Sequence, residues 1–333
     1  MYEALRKGRP TLMGIAILMV VVFHAPLALQ NPYFNLVHAY LYCGVDIFLL
    51  LSGIGACWSV PKHGGRQYLF LRARRMLPGL LPFLLIWSLV MFFAGLFSIP
   101  ELIGSITLTG WWLGQEGQLN WYFSGVWFFF LLAIPMTGCM KRSKRPLVFF
   151  LSLLVCSLLL YMVNQYSSLQ RLISRIPVFL LGILIGTMEQ RGLSSRRFEL
   201  VSILLMIPGI ILLHYVYNHL YSAGYTYGLW WYPLLLVIPG FSILAARTAN
   251  LMRRSLVGRI LLRPIDWCGD ASSELLAIHM GLYKIIQYVL GLTFSNRCWL
   301  LIALVSCIIS VLYKKFIVPP LTGIFDRLIK CIA

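Results

Sequence analysis

Apolar runs of about 17–25 residues, each long enough to cross a ~30 Å hydrocarbon core as a helix, recur from one end of this sequence to the other. No other feature limits the possible folds as strongly. A chain solvated by lipid cannot leave backbone N–H and C=O groups open, so its crossings are either helices or closed barrel strands. The runs here are continuous and do not alternate apolar with polar residues, which argues against a barrel. Composition agrees, with 60% of the 333 residues hydrophobic, 11% charged and a mean hydropathy of +0.83. The expected fold is therefore all-α: a polytopic membrane protein of about ten transmembrane helices, near 11–29, 39–60, 79–99, 121–140, 146–164, 176–188, 199–217, 228–246, 272–292 and 298–318. No linker or low-complexity tract interrupts the pattern, so residues 1–333 read as a single integral-membrane domain with no appended soluble domain.

A formal net charge of +18 raises the question of nucleic acid. The placement of the charge answers it. With the amino terminus assigned to the cytoplasm, all but four of the Lys and Arg residues fall in alternate, cytoplasmic segments; the exceptions are Arg171, Arg175 and Arg297 outside and Lys284 within a span. The positive-inside rule accounts for that distribution, with both termini cytoplasmic and no nucleic-acid partner. The eight cysteines are scattered through apolar runs without a Cys-x-x-Cys pair, as expected of small packing residues and not of a disulfide framework or metal site. Residues 26–30 carry no small-x-small cleavage site, so the first helix reads as a retained anchor.

Segment 102–114 (LIGSITLTGWWLG) is too short and too rich in Gly and Thr to span, and is expected to be interfacial or re-entrant on the outer side. Aromatic residues crowd the outer ends in WYFSGVWFFF from Trp121 and YTYGLWWY from Tyr225. Two readings are open: interfacial belts that anchor helix ends, or a stacking platform for a sugar.

Polar groups inside apolar spans are costly and point to function. His24 and Asp46 lie at similar depth on consecutive antiparallel spans, so an imidazole–carboxylate pair is geometrically easy. Such a pair fixes the histidine tautomer and equips the other ring nitrogen as a general base; equally, the two residues can simply satisfy each other between helices. In YLFLRARRMLPGLLPF, Arg72, Arg74 and Arg75 gather just before the third span, with Arg72 and Arg75 on one helix face. They suit a polyphosphate grip or an ordinary cytoplasmic anchor. Glu274, His279 and Lys284 follow at spacings of five, rotated by about 140° each, so they do not form one stripe or a shared metal site. Glu274 is expected near the cytoplasmic end, His279 near the middle, and Lys284 in the outer half with its stem snorkelling.

The order of these elements resembles the bacterial integral-membrane acyltransferase family three. A histidine near the outer end of the first span is followed by GVDIFLLLSG and then by the Arg-rich stretch. Three later stretches agree: LNWYFSGVWFFFLLAIP from Leu119, RIPVFLLGILIG from Arg175 and WCGDASSELLAIH from Trp267. The resemblance covers nearly the whole chain. It implies an O-acyltransferase of the bacterial cytoplasmic (inner) membrane that moves acetyl from acetyl-CoA, with no tightly bound cofactor, onto an envelope glycan or lipid-linked saccharide. It also implies His24 as catalytic base, Asp46 as its orienting partner, Arg72, Arg74 and Arg75 as the grip on the CoA phosphates, and His279 as the match to the family's C-terminal histidine. One departure stands out. Where the family carries an arginine eleven residues before the histidine, this sequence has Met13, leaving Arg9 or Arg6 to supply the charge from below. Ser52, a backbone amide near Gly53, or Lys284 are candidate oxyanion donors, and direct transfer and an acyl-histidine route are both open. The rival readings are a small-solute transporter, which buried charges among many spans also describe, and a catalytically silent relative.

Overall fold

The computed structural model describes residues 2–26, 31–115, 118–119, 121–164, 167–193, 196–291 and 295–332. Every element is helical: α1 (Tyr2–Lys7), α2 (Arg9–Phe23), α3 (Pro32–Tyr40), α4 (Gly44–Phe93), α5 (Ile99–Ile106), α6 (Trp121–Arg142), α7 (Pro146–Val163), α8 (Ser167–Ile173) and α9 (Ile176–Gln190) form the first half. The second half holds α10 (Arg196–Leu204), α11 (Met206–His219), α12 (Tyr221–Thr226), α13 (Leu234–Met252), α14 (Leu256–Asp270), α15 (Ser272–Lys284), α16 (Asn296–Phe316) and α17 (Val318–Ile332). Among the described residues, seven helical stretches are long and apolar enough to cross a membrane, and α2 is a shorter apolar helix.

The helix count departs from the expected ten for identifiable reasons. Most of two expected spans, 39–60 and 79–99, falls in one 50-residue helical element, α4. Gly64 interrupts it with φ 76° and ψ 163°, a conformation that only glycine adopts without strain. The chain doubles back there, which brings Ser52 of the first arm and Arg72 of the second into one cavity. The expected span 272–292 consists of the 13-residue α15 and a π-helical turn, Ile285–Val289, so it is too short to count by length. Segment 247–271, read from sequence as a connection, contains α14, whose Asp266 accepts from Arg253 at 2.9 Å and from Thr11 of α2 at 2.5 Å.

In lipid no hydrophobic gain separates helix–helix from helix–lipid contact, so close packing through small residues decides which helices meet. Gly53 and Gly182 sit where α4 crosses α9. A Cβ on Gly182 would stand 2.3 Å from the Leu50 carbonyl oxygen, and one on Gly53 equally close to that of Phe179. Gly186, one turn on, abuts Cys57 in the same way and completes a Gly-x-x-x-Gly face. Helices α2 and α9 are thus buried nearly all round, while α7, α11 and α16 turn Leu159, Ile211 and Ile308 outward as a lipid-facing shell. The inner helices hold the polar residues. Their close approach fixes the geometry of the site.

Candidate active site

Two cavities open among the inner helices. The larger, about 820 Å³, is lined by His24, Arg171, Arg175, Lys284 and the indoles of Trp111, Trp121, Trp230 and Trp231. The smaller, about 100 Å³, is lined by Arg9, Met13, Ser52, Arg72, Arg75 and Lys314. Tyr122 of α6 and Leu276 of α15 line both, and so form the partition between them. Of the two open readings for the aromatic clusters, the stacking platform therefore has a cavity to serve: Trp121, Trp230 and Trp231 face inward upon it.

His24 ends α2 as its C-cap. Helix C-termini leave carbonyls without intrahelical partners, and the His24 Nδ1 lies 2.7 Å from the Val20 carbonyl oxygen. A carbonyl only accepts, so Nδ1 carries the proton and Nε2 is left as the basic position of the ring. This is the orientation that the sequence reading assigned to Asp46, and here the backbone supplies it. The expected His24–Asp46 pair does not form. Asp46 occupies the first turn of α4, where a carboxylate is favoured by the helix dipole, and its Oδ1 lies 3.9 Å from Nε of Arg175. Both partners are buried, 2% and 5% exposed. Arg175, expected in an outer loop, instead lies inside the protein at the N-cap of α9. Its guanidinium donates to Ser174 Oγ at 2.8 Å and sits over Tyr42, Trp121 and Trp231 at 5.2–5.6 Å. Sequence reasoning missed it as a site residue although it opens the quoted RIPVFLLGILIG stretch.

His279 comes to His24, ring centroid to ring centroid 6.0 Å, and is fully buried with no hydrogen-bond partner on either nitrogen. Lys284 does not snorkel. It reaches into the larger cavity and donates to the Gln118 carbonyl, just before the π-helical turn, a distortion that often marks functional sites. Glu274 lies at the other end of α15, bonded by Lys314 at 2.7 Å and Ser273 at 2.8 Å. The three polar residues of α15 thus sit with different neighbours, as their rotation around the helix requires.

In the smaller cavity Arg9 and Arg72 converge. A Cβ on Gly55 would lie 3.4 Å from Arg9 Nη1 and 3.8 Å from Arg72 Nη2. Arg72 is held over Tyr68 and Phe130, at 4.9 and 5.4 Å from the ring centres. Met13 lines the same space, so Arg9, one turn below it, brings a cation to the cavity in which the sequence departs from the family pattern. Arg74 is absent from this group. Two residues past Arg72 it points to the opposite helix face and makes a forked pair with Asp326 of α17, at 2.7 and 2.8 Å. Ser52 belongs to this cationic cavity, whereas Lys284 shares the cavity of His24. Gly53 is closed off by the α4–α9 contact. Chemically, the arrangement offers an arginine-rich end, an aromatic end and a histidine whose Nε2 is the basic position. No group of three or more metal-ligating side chains occurs among the described residues.

Comparison with known proteins adds one finding: a family model described as an acyltransferase domain matches residues 12–314. No curated protein and no solved structure matches.

Proposed function

The chain belongs to the acyltransferase 3 family of integral-membrane enzymes, and we propose on that premise that it moves acetyl from acetyl-CoA to a hydroxyl of an envelope glycan or lipid-linked saccharide. One observation carries the reading: a cavity of three arginines meets, across Tyr122 and Leu276, a cavity in which His24 offers Nε2. The positive-inside distribution supports a cytoplasmic position for the arginine end and for both termini, in a bacterial cytoplasmic membrane.

Acetyl-CoA enters at the arginine end, its phosphates against Arg9, Arg72 and Arg75, and its pantetheine passes the partition so that the thioester reaches His24. The acceptor hydroxyl gives its proton to Nε2 while its oxygen attacks the thioester carbonyl. As the C–S bond breaks, the imidazolium returns the proton to the departing sulfur, so that ester and CoA thiol are formed and His24 is regenerated. Lys284, on the same cavity, is the candidate donor for the oxyanion. Arg175 and Asp46 act as positioning residues that hold the α4–α9 wall.

The test is acetyl-CoA cleavage and transfer by the purified protein. Loss of the general base should lower turnover by about 10²–10⁴-fold in His24→Ala with acetyl-CoA binding retained. Full activity in that variant removes the assignment.

A further inference from the structure

Resting on the acyltransferase reading, we infer that the acceptor is an anionic saccharide, its phosphate or carboxylate held by Arg171, Arg175 and Lys284 while a sugar ring stacks on the surrounding indoles. The described residues that line the larger cavity include these three basic side chains and no Asp or Glu. Two other partly buried basic groups have carboxylates, Lys314 with Glu274 and Arg253 with Asp266. Here Lys284 is met by a neutral carbonyl. Arg175 meets Asp46 at the edge of ion-pair distance, and its buried Nε has no hydrogen-bond partner. Asp46 itself does not line the cavity.

Arg175 shares its charge with Asp46, but among the described residues Arg171 and Lys284 have no carboxylate partner, and an anionic ligand answers them in a membrane-embedded cavity where such interactions are stronger than in water. Arginine matches phosphate or carboxylate with a planar fork and lysine adds a point charge. Four indoles around about 820 Å³ give a pocket in the usual range of roughly 300–1,000 Å³, with apolar faces for the C–H side of a pyranose and few polar anchors. A neutral acceptor would use the indoles and leave Arg171 and Lys284 unanswered.

The test uses the full-length protein in nanodiscs and reads tryptophan fluorescence on titration with three probes: a short-chain polyprenyl diphosphate-linked monosaccharide, a uronic-acid disaccharide and a neutral disaccharide. At least one anionic probe should bind tenfold or more tighter than the neutral one. Preference for the first assigns the charge to a lipid-carrier phosphate, and preference for the second assigns it to the sugar carboxylate. Arg171→Gln, which alters an exposed side chain, and Lys284→Gln should each weaken the anionic probe and leave the neutral one unchanged. Equal binding of neutral and anionic probes, no binding of either anionic probe, or unchanged affinity in both variants would overturn the inference. So would displacement of the anionic probe by acetyl-CoA with the same sensitivity to Arg171, because that cation would then serve the donor. Acetyl-CoA cleavage measured on the same samples separates the two levels: cleavage without anion preference sinks only the acceptor class, and anion binding without cleavage or transfer sinks only the reaction.

Discussion

Asp46 and Arg175 provide the sharpest energetic test of how the site is built. They are buried and 3.9 Å apart, and at an effective dielectric of ~20 their attraction is 332/(20 × 3.9), about 4 kcal/mol. Removing one partner strands the other charge, so Arg175→Met and Asp46→Leu should each destabilise by about 3–5 kcal/mol. Asp46→Leu should be the milder, because Arg175 keeps three aromatic faces, each contributing about 0.5–2 kcal/mol. The double variant removes both charges, and its cost should fall below the sum of the single costs by about 3–4 kcal/mol. Equilibrium unfolding by SDS in mixed micelles measures all four proteins. The matching cycle of His24→Gln with Asp46→Leu should be additive within about 0.5 kcal/mol, since those side chains do not pair. Additivity between positions 46 and 175, or comparable coupling between 24 and 46, would refute the pairing.

Arg74→Ala should leave the KM for acetyl-CoA unchanged, because the side chain is committed to Asp326, whereas Arg72→Ala should raise it about tenfold or more, the scale of a lost charged hydrogen bond. Steady-state kinetics separates the two. Leu276→Trp, which fills the partition, should preserve acetyl-CoA binding and suppress transfer; wild-type transfer would mean that the acyl group does not pass between the cavities. Gly182→Val would drive a Cβ to 2.3 Å from the Leu50 carbonyl oxygen and should destabilise by about 1–3 kcal/mol or more, and an unchanged thermal midpoint in detergent would contradict the close crossing.

Much of this arrangement is legible in the sequence because lipid enforces it. Apolar run length marks the spans, and each polar residue inside them stands out as an exception that needs a partner. Which partner it takes is less legible. His24 and Asp46 share a depth, but depth says nothing of azimuth, and the end of α2 at Phe23 gives His24 a carbonyl before any carboxylate is needed. Arg74 was separable from Arg72 and Arg75 by rotation alone, at 100° per residue. Arg175 was obscured by the assumption that a cation beside an outer loop faces water. Gly64 carries the reversal of α4, and its His-Gly-Gly context was a readable turn signal. Helix α14 was read as a connection and α17 fell in the cytoplasmic C-terminal segment, because both are amphipathic and too short to resemble spans.

The most direct measurement is an experimental structure of the protein with a non-hydrolysable acetyl-CoA analogue. The expected result is phosphates within hydrogen-bond reach of Arg9, Arg72 and Arg75, pantetheine between Tyr122 and Leu276, and the acyl carbon beside Nε2 of His24. Phosphates lodged against Arg171 and Lys284, or an acyl end remote from His24, would contradict the proposed route.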